Sequence, residues 1–115
     1  MSLPFSATRE EKGFIFVSGQ VALTEEGKLL EDSVVEQTHQ VMKNVQKALE
    51  SAGASLSDIV KTTIYTTDMS EYGEVSDAYV SHLTEPYPAR EFICVKELPL
   101  GALVEISVIA KSPTR

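Results

Sequence analysis

PAREFICV (residues 88–95) and VEISVIA (residues 104–110) decide the fold, because each has the pattern of a β-strand. LPLG (residues 98–101) between them predicts a turn. Alternate side chains of a strand share a face, so Arg90, Phe92 and Cys94 point one way. In the second strand Glu105 interrupts the less apolar face, opposite an unbroken apolar one. A lone Arg90 and a lone Glu105, each placed on the less apolar face, predict a charge pair that lines a site.

The rest of the chain predicts the element order β-β-α-β-α-β-β in one domain of residues 1–115. FIFV (residues 14–17) is apolar on both faces, and VAL (residues 21–23) continues it beyond a bend at Gly19. The polar residues 6–12 predict an extended lead-in and a turn. Residues 59–67 alternate and are rich in β-branched side chains, which favours a strand.

Two amphipathic helices are predicted between these strands. Ser33 and Glu36 have capping-box spacing, apolar positions recur with helical period to residue 52, and Gly53 suits a left-handed end. The second helix runs from about residue 71 to 83, with Tyr72 opening an apolar stripe that includes Tyr79. Two helices cover only one face of a sheet, yet the FIFV strand is apolar on both of its faces. We therefore expect another subunit to bury part of the second face.

Composition excludes several classes of protein. The 115 residues carry a net charge of −7, which disfavours binding to a nucleic-acid backbone. No apolar run approaches the roughly 18 residues that span a bilayer, and the N-terminus lacks the pattern of a secretory signal. A single cysteine cannot form an intrachain disulfide, which predicts a reducing location. We expect a soluble cytoplasmic protein, and a mitochondrial location fits the same features.

Three blocks of sequence resemble one known family, and they occur in the family's order along nearly the whole chain. PAREFICVKELPLGALVEI (residues 88–106) resembles the C-terminal signature of the RidA/YjgF/L-PSP family, including the spacing from Arg90 to Glu105. FVSGQ (residues 16–20) is similar to its hydrophobic-Ser-Gly-Gln motif, and AGASLSDIVKTT (residues 52–63) to its helix end and Thr-rich strand. The resemblance implies a chorismate-mutase-like α+β fold, with a mixed sheet and both helices on one face.

The same resemblance implies an assembly and an activity. Similar proteins form homotrimers with sites in the clefts between subunits, and hydrolyse 2-imino acids or their enamine tautomers to 2-keto acids and ammonia. Arg90 would then bind the substrate carboxylate, for which a planar guanidinium suits bidentate contact. Glu105 would orient a water or exchange a proton. Because imines also hydrolyse unaided in water, this reaction requires no metal or cofactor.

Further site residues follow from the resemblance, together with departures from the family pattern. Phe5 stands where many relatives have Tyr, and Phe92 where they often have Cys. Ser18 and Gly19 either contact the ligand or form a β-bulge whose hydroxyl satisfies a local backbone group. Ser76 replaces a frequent Asn of the second helix. The departures at Phe5, Phe92 and Ser76 concern the substrate range more than the fold.

Two other functions remain open beside the deaminase. Family members have also been described as endoribonucleases and translation inhibitors, which would need a basic or aromatic RNA surface. The third hypothesis is a non-catalytic trimer that binds a small carboxylate or acts as a chaperone-like scaffold. His39 and His82 fall on different predicted helices without ligand spacing, which argues against a metal site. Cys94 is interpreted as a small buried hydrophobic residue.

Overall fold

The computed structural model describes residues 3–113, which form a five-stranded sheet and two α-helices. The strands are β1 (Thr8–Glu11), β2 (Phe14–Gln20), β3 (Ile59–Thr66), β4 (Ala89–Cys94) and β5 (Val104–Lys111). The helices are α1 (Val34–Ser51) and α2 (Tyr72–Val80). The element order β-β-α-β-α-β-β and the α+β class are therefore as predicted.

The order of the strands in the sheet is β1-β2-β5-β3-β4. β5 pairs antiparallel with β2 and with β3, whereas β4 pairs parallel with β3. The predicted turn between β4 and β5 is present as the 3₁₀ turn Pro99–Gly101. The two strands that carry Arg90 and Glu105 are nevertheless not neighbours, because β3 lies between them and β4 forms an edge of the sheet.

The first two strands differ from the predicted ones. β1 lies in the polar stretch that was expected to be a lead-in, and it forms a hairpin with β2. Its tight turn uses Lys12 and Gly13, both at positive φ. VAL (residues 21–23) forms no strand, and its Leu23 makes an isolated bridge to Leu29. β1 is an edge strand with mostly exposed side chains, so it has no apolar alternation by which a sequence pattern could reveal it.

α1 begins and ends at the predicted residues, although its cap differs in one bond. The Ser33 hydroxyl accepts from the Glu36 amide at 3.2 Å, as a capping box requires. The amide of Ser33, however, donates to the carboxylate of Asp32 at 2.7 Å and not to that of Glu36. Gly53 has φ of +84°, the left-handed conformation expected after the helix. Within residues 3–113 neither helix is long and apolar enough to cross a membrane.

The core lies between the helices and one face of the sheet. It is made by the inward side chains of β2, β3 and β5 and by the apolar stripes of α1 and α2. The largest of these that are fully buried are Ile15, Met42, Leu49, Ile64 and Ile106. Burying one such side chain contributes about 1.5–3 kcal/mol. Gln37 is also buried, and its amide donates to the carbonyl of Leu30 and accepts from the amide of Leu103.

The second face of the sheet remains open in the single chain. Phe16 and Ile93 lie on it and are 44% and 39% exposed. Ile109 pairs with Phe16 on the same face, and Glu105 lies further along the same strand. In β5 the buried side chains alternate with those on this face, as predicted. The open face therefore combines apolar side chains with the predicted acidic residue.

Candidate active site

Arg90 occupies the edge strand and turns toward the helices. It pairs with Thr62 of β3, whose side chain is buried on the helix-covered face. Nη1 of Arg90 donates to the Ser76 hydroxyl at 2.9 Å, and Nη2 donates to the Tyr72 hydroxyl at 2.7 Å. Both partners lie on α2, one turn apart. Within residues 3–113 the guanidinium has no ion pair with a carboxylate.

Aromatic rings enclose the same guanidinium. Its Cζ lies 5.5 Å from the ring centroid of Tyr72, 5.7 Å from that of Tyr79 and 5.5 Å from that of Phe92. The rings of Tyr72 and Phe92 also contact each other at 4.5 Å between centroids. Each cation–π contact contributes about 0.5–1 kcal/mol where water has access, and more where it is excluded. These rings hold the cation in place and leave its charge unneutralised. We call Arg90, Tyr72, Ser76, Tyr79 and Phe92 the arginine cluster.

Tyr79 anchors the arginine cluster to the core. Its hydroxyl donates to Oγ1 of Thr62 at 2.8 Å, and both side chains are buried. Burial raises the pKa of the Tyr79 hydroxyl, against the opposing effects of the Thr62 hydrogen bond and the Arg90 charge. The tyrosine is therefore a neutral donor at physiological pH, and its ring forms the inner wall behind Arg90.

Glu105 belongs to a different cluster, on the open face. It pairs with Tyr65 of β3, and within residues 3–113 its carboxylate has no hydrogen-bond or ion-pair partner. Burial raises the pKa of this carboxyl, since partial desolvation disfavours the charged form. A Cβ at Gly19 would collide with the carboxylate, with only 2.8 Å to Cδ of Glu105. Gly19 is thus the residue whose missing side chain makes room for the acid.

Ser18 stands beside Gly19 in an irregularity of β2, where the register shifts between Val17 and Gln20. Its hydroxyl donates to the carbonyl of Ser6 at 2.6 Å, and its amide to that of Ala7 at 3.0 Å. The bulge and the local backbone bond expected of Ser18 are therefore present. Phe5 precedes the bonded Ser6 in the chain and is 59% exposed. We call Ser18, Gly19 and Glu105 the acidic cluster.

The predicted pairing of Arg90 with Glu105 on one face is wrong for a single chain. Thr62 and Tyr65, the β3 partners of Arg90 and Glu105, are three residues apart and so face opposite sides. The alternation within each strand was correct, but the face of β4 was assigned to the wrong side. β4 is an edge strand with mostly exposed side chains on both faces, so counting apolar residues does not reveal its inner face.

Some of the contacts that build the site differ from the predicted ones. The sequence pattern predicts Tyr72 and Tyr79 in the apolar stripe of α2, but the hydroxyl of Tyr72 binds Arg90 and the residue is 44% exposed. The available signal was their spacing: Tyr72, Ser76 and Tyr79 share one helical face, and each has a hydroxyl. Cys94 was expected to be buried, and it is exposed at the end of the edge strand.

His39 and His82, which the sequence places on different predicted helices, lie side by side in the structure. Nδ1 of His39 lies 2.8 Å from Nε2 of His82, where α1 passes the end of α2. Burial lowers the pKa of His82, and the nearby His39 and Lys43 act in the same direction. Among residues 3–113 no group of three or more His, Cys, Asp or Glu side chains could hold a metal ion. The pair joins α1 to the turn that follows α2.

The fold and these clusters define a small α+β protein with an unneutralised arginine at a sheet edge and a half-buried acid on the open face. Residues 2–112 match the family described as endoribonuclease L-PSP. The chain belongs to this family, the RidA/YjgF/L-PSP family.

Relatives of the chain have several different descriptions. The chain is 41% identical to a RutC family protein of Aquifex aeolicus, over 93% of this chain and 87% of that one. It is 37% identical to the mouse 2-iminobutanoate/2-iminopropanoate deaminase, over 93% of this chain and 80% of the relative. The crystal structure of RidA from a Psychrobacter species has a TM-score of 0.90 and 34% identity, covering 96% of this chain and 90% of its own.

Proposed function

We propose that this protein is a cofactor-independent deaminase that hydrolyses small 2-imino acids, or their enamine tautomers, to 2-keto acids and ammonia. The observation that carries the proposal is the state of Arg90. It is held by hydroxyls and rings and has no carboxylate partner within residues 3–113. A guanidinium so placed can receive a ligand carboxylate in bidentate contact. The name of the mouse relative indicates the same substrate class.

Glu105 would supply the proton transfers. Water adds to the protonated imine carbon, so that a C–O bond forms and the C=N π pair moves to nitrogen, while the carboxylate accepts the water's proton. The proton then passes to nitrogen, the carbinolamine collapses to the ketone and the C–N bond breaks. Ammonia leaves and is protonated by the proton released from the hydroxyl. A carboxyl whose pKa is raised by burial is better matched to accepting and returning a proton near neutral pH.

The site would be completed by a second copy of the chain. Arg90 and Glu105 lie on opposite faces of one sheet, so one chain cannot direct both side chains at one small ligand. The open face carries Glu105 among exposed apolar residues such as Phe16 and Ile93, a composition suited to subunit contact. We propose a homotrimer in which the arginine cluster of one subunit faces the acidic cluster of its neighbour.

The first test is hydrolysis of 2-iminobutyrate, generated in place by an amino-acid oxidase, with wild type and Arg90→Ala. We expect kcat/KM to fall at least about 100-fold in the variant, since each charge-assisted hydrogen bond contributes about 1.5–3 kcal/mol and bidentate contact makes two of them. Lys47→Ala is the control, because Lys47 is an exposed cation of α1, away from the open face of the sheet. Equal rates for wild type and Arg90→Ala would refute the proposed role of Arg90.

Subunit mixing tests the shared site. Arg90→Ala and Glu105→Gln are each expected to have very low activity, and dissociating and reassembling them together should restore part of it. In a closed trimer with directed sites, an equal random mixture regains about one quarter of the wild-type sites. If the two residues acted within one chain, mixing would restore nothing.

Two outcomes would favour the other hypotheses. Wild type that binds 2-keto acids without accelerating imine hydrolysis would indicate a carboxylate-binding scaffold. Cleavage of RNA that survives in Arg90→Ala and weakens as salt is raised would favour the endoribonuclease after which the family is described. The net charge of −7 opposes RNA binding, so we expect no cleavage.

A further inference from the structure

The hydroxyls that hold Arg90 are left with protons of their own. A guanidinium only donates hydrogen bonds, so the oxygens of Tyr72 and Ser76 must both act as acceptors toward it. A hydroxyl can donate one bond while it accepts others. Within residues 3–113 neither hydroxyl donates to any protein acceptor. Each therefore keeps an O–H that is available to a ligand beside Arg90.

The arginine cluster consequently offers more donors than the guanidinium alone. Arg90 uses two of its five N–H groups on Tyr72 and Ser76, and the remaining ones have no protein acceptor in the described part of the chain. Among the three residues, Tyr72 is the one whose side chain is clearly open to solvent, at 44% exposure. A compact anion with paired oxygens fits such a set of donors.

We propose that Tyr72 is a specificity-determining residue, whose hydroxyl orients Arg90 and donates its own proton to the carboxylate of the ligand. This inference rests on the proposed function for the identity of the ligand, a small 2-imino or 2-keto carboxylate. Accepting from a cation polarises the hydroxyl and strengthens the bond that it donates. Ser76 orients the other terminal nitrogen from the more enclosed side. The pair selects a carboxylate over a neutral amide of the same shape, because an amide nitrogen cannot accept these donors.

Tyr72→Phe isolates the hydroxyl from the ring. The phenyl ring keeps its contacts with Phe92 and with the guanidinium, so the fold and the cation–π geometry persist. Tyr87→Phe is the matched control, since Tyr87 is 52% exposed in the segment before β4 and forms no hydrogen bond within the described residues. Both variants lose one phenol oxygen, and only the first loses it beside Arg90.

Binding of 2-oxobutyrate and of the neutral 2-oxobutyramide, measured by calorimetry, tests the inference without turnover. We expect Tyr72→Phe to weaken 2-oxobutyrate about tenfold, as the loss of one good hydrogen bond predicts, with the amide unchanged. In turnover, KM should rise by a similar factor while kcat changes less than about twofold, the signature of lost ground-state binding. Tyr87→Phe should match wild type in both assays.

The outcomes separate this inference from the proposed function. Binding of 2-oxobutyrate that depends on Tyr72, without imine hydrolysis by wild type, would refute the deaminase and support the inference. Imine hydrolysis that is unchanged in Tyr72→Phe would support the deaminase and overturn the inference. Equal weakening of the keto acid and the amide would show a merely structural hydroxyl and overturn the inference. Absence of both 2-oxobutyrate binding and imine hydrolysis in wild type would overturn both.

Discussion

The hydrogen bond from Tyr79 to Thr62 gives the sharpest stability prediction, because both hydroxyls are buried behind Arg90. Tyr79 is 2% exposed and Thr62 is fully buried, and their oxygens are 2.8 Å apart. Tyr79→Phe removes the donor and leaves the Thr62 hydroxyl without its hydrogen-bond partner. Thr62→Val removes the acceptor with almost no change of shape and strands the Tyr79 hydroxyl.

The magnitudes follow from burial. Leaving a buried hydroxyl unpaired costs about 1–3 kcal/mol, whereas replacing both partners by apolar groups of the same shape is nearly neutral. We expect each single variant to lose about 1–2 kcal/mol of unfolding free energy, and the double variant to lose less than the sum by at least about 1 kcal/mol. In a domain of this size 1 kcal/mol corresponds to about 4 °C in Tm.

The assay is urea unfolding of wild type, both single variants and the double variant at one protein concentration, since subunit association adds to apparent stability. Additive losses, with no coupling between Tyr79 and Thr62, would refute the argument that the bond is desolvated and intact. The ring of Tyr79→Phe still faces Arg90, so kcat/KM for imine hydrolysis should stay within about twofold of wild type. A large loss of activity would mean that the phenol itself serves the site.

Two further predictions concern the acidic cluster and the paired histidines. Gly19→Ala should displace the carboxylate of Glu105 and lower kcat at least about tenfold. Gly73→Ala is the control, because a Cβ at this helix position meets open space, and kcat should not fall. Unchanged kcat in Gly19→Ala would exclude this placement of Glu105. Burial and the nearby His39 lower the pKa of His82 in the folded protein. The unfolded state therefore binds this proton more readily than the folded state does. The stabilising contribution is therefore complete above about pH 6.5 and is lost as pH falls through the lowered pKa, so Tm should drop on acidification to about pH 5.5. His82→Gln should reduce that drop, and an equal drop in the variant would show that other groups cause it.

Local sequence determined the elements whose signals lie within a few residues. Ser33 and Gly53 mark the ends of α1 because cap geometry depends on adjacent backbone. The alternation of β5 identified its inner face because that strand is central and one of its sides is buried throughout. The presence of Arg90 and Glu105 on strands, and the bulge at Ser18 and Gly19, were also visible in the pattern.

Tertiary structure alone decided how those elements meet. The edge position of β1 and β4 depends on pairing with distant strands, and edge strands lack the burial that creates an apolar pattern. For that reason sequence alone placed Arg90 and Glu105 on one face, whereas the register through β3 separates them. The hydroxyl of Tyr72 became a partner of Arg90 only because α2 packs beside β4, a contact between residues 18 apart in sequence. Residue types and their spacing thus determined which chemistry is available, and long-range packing decided which side chains share a site.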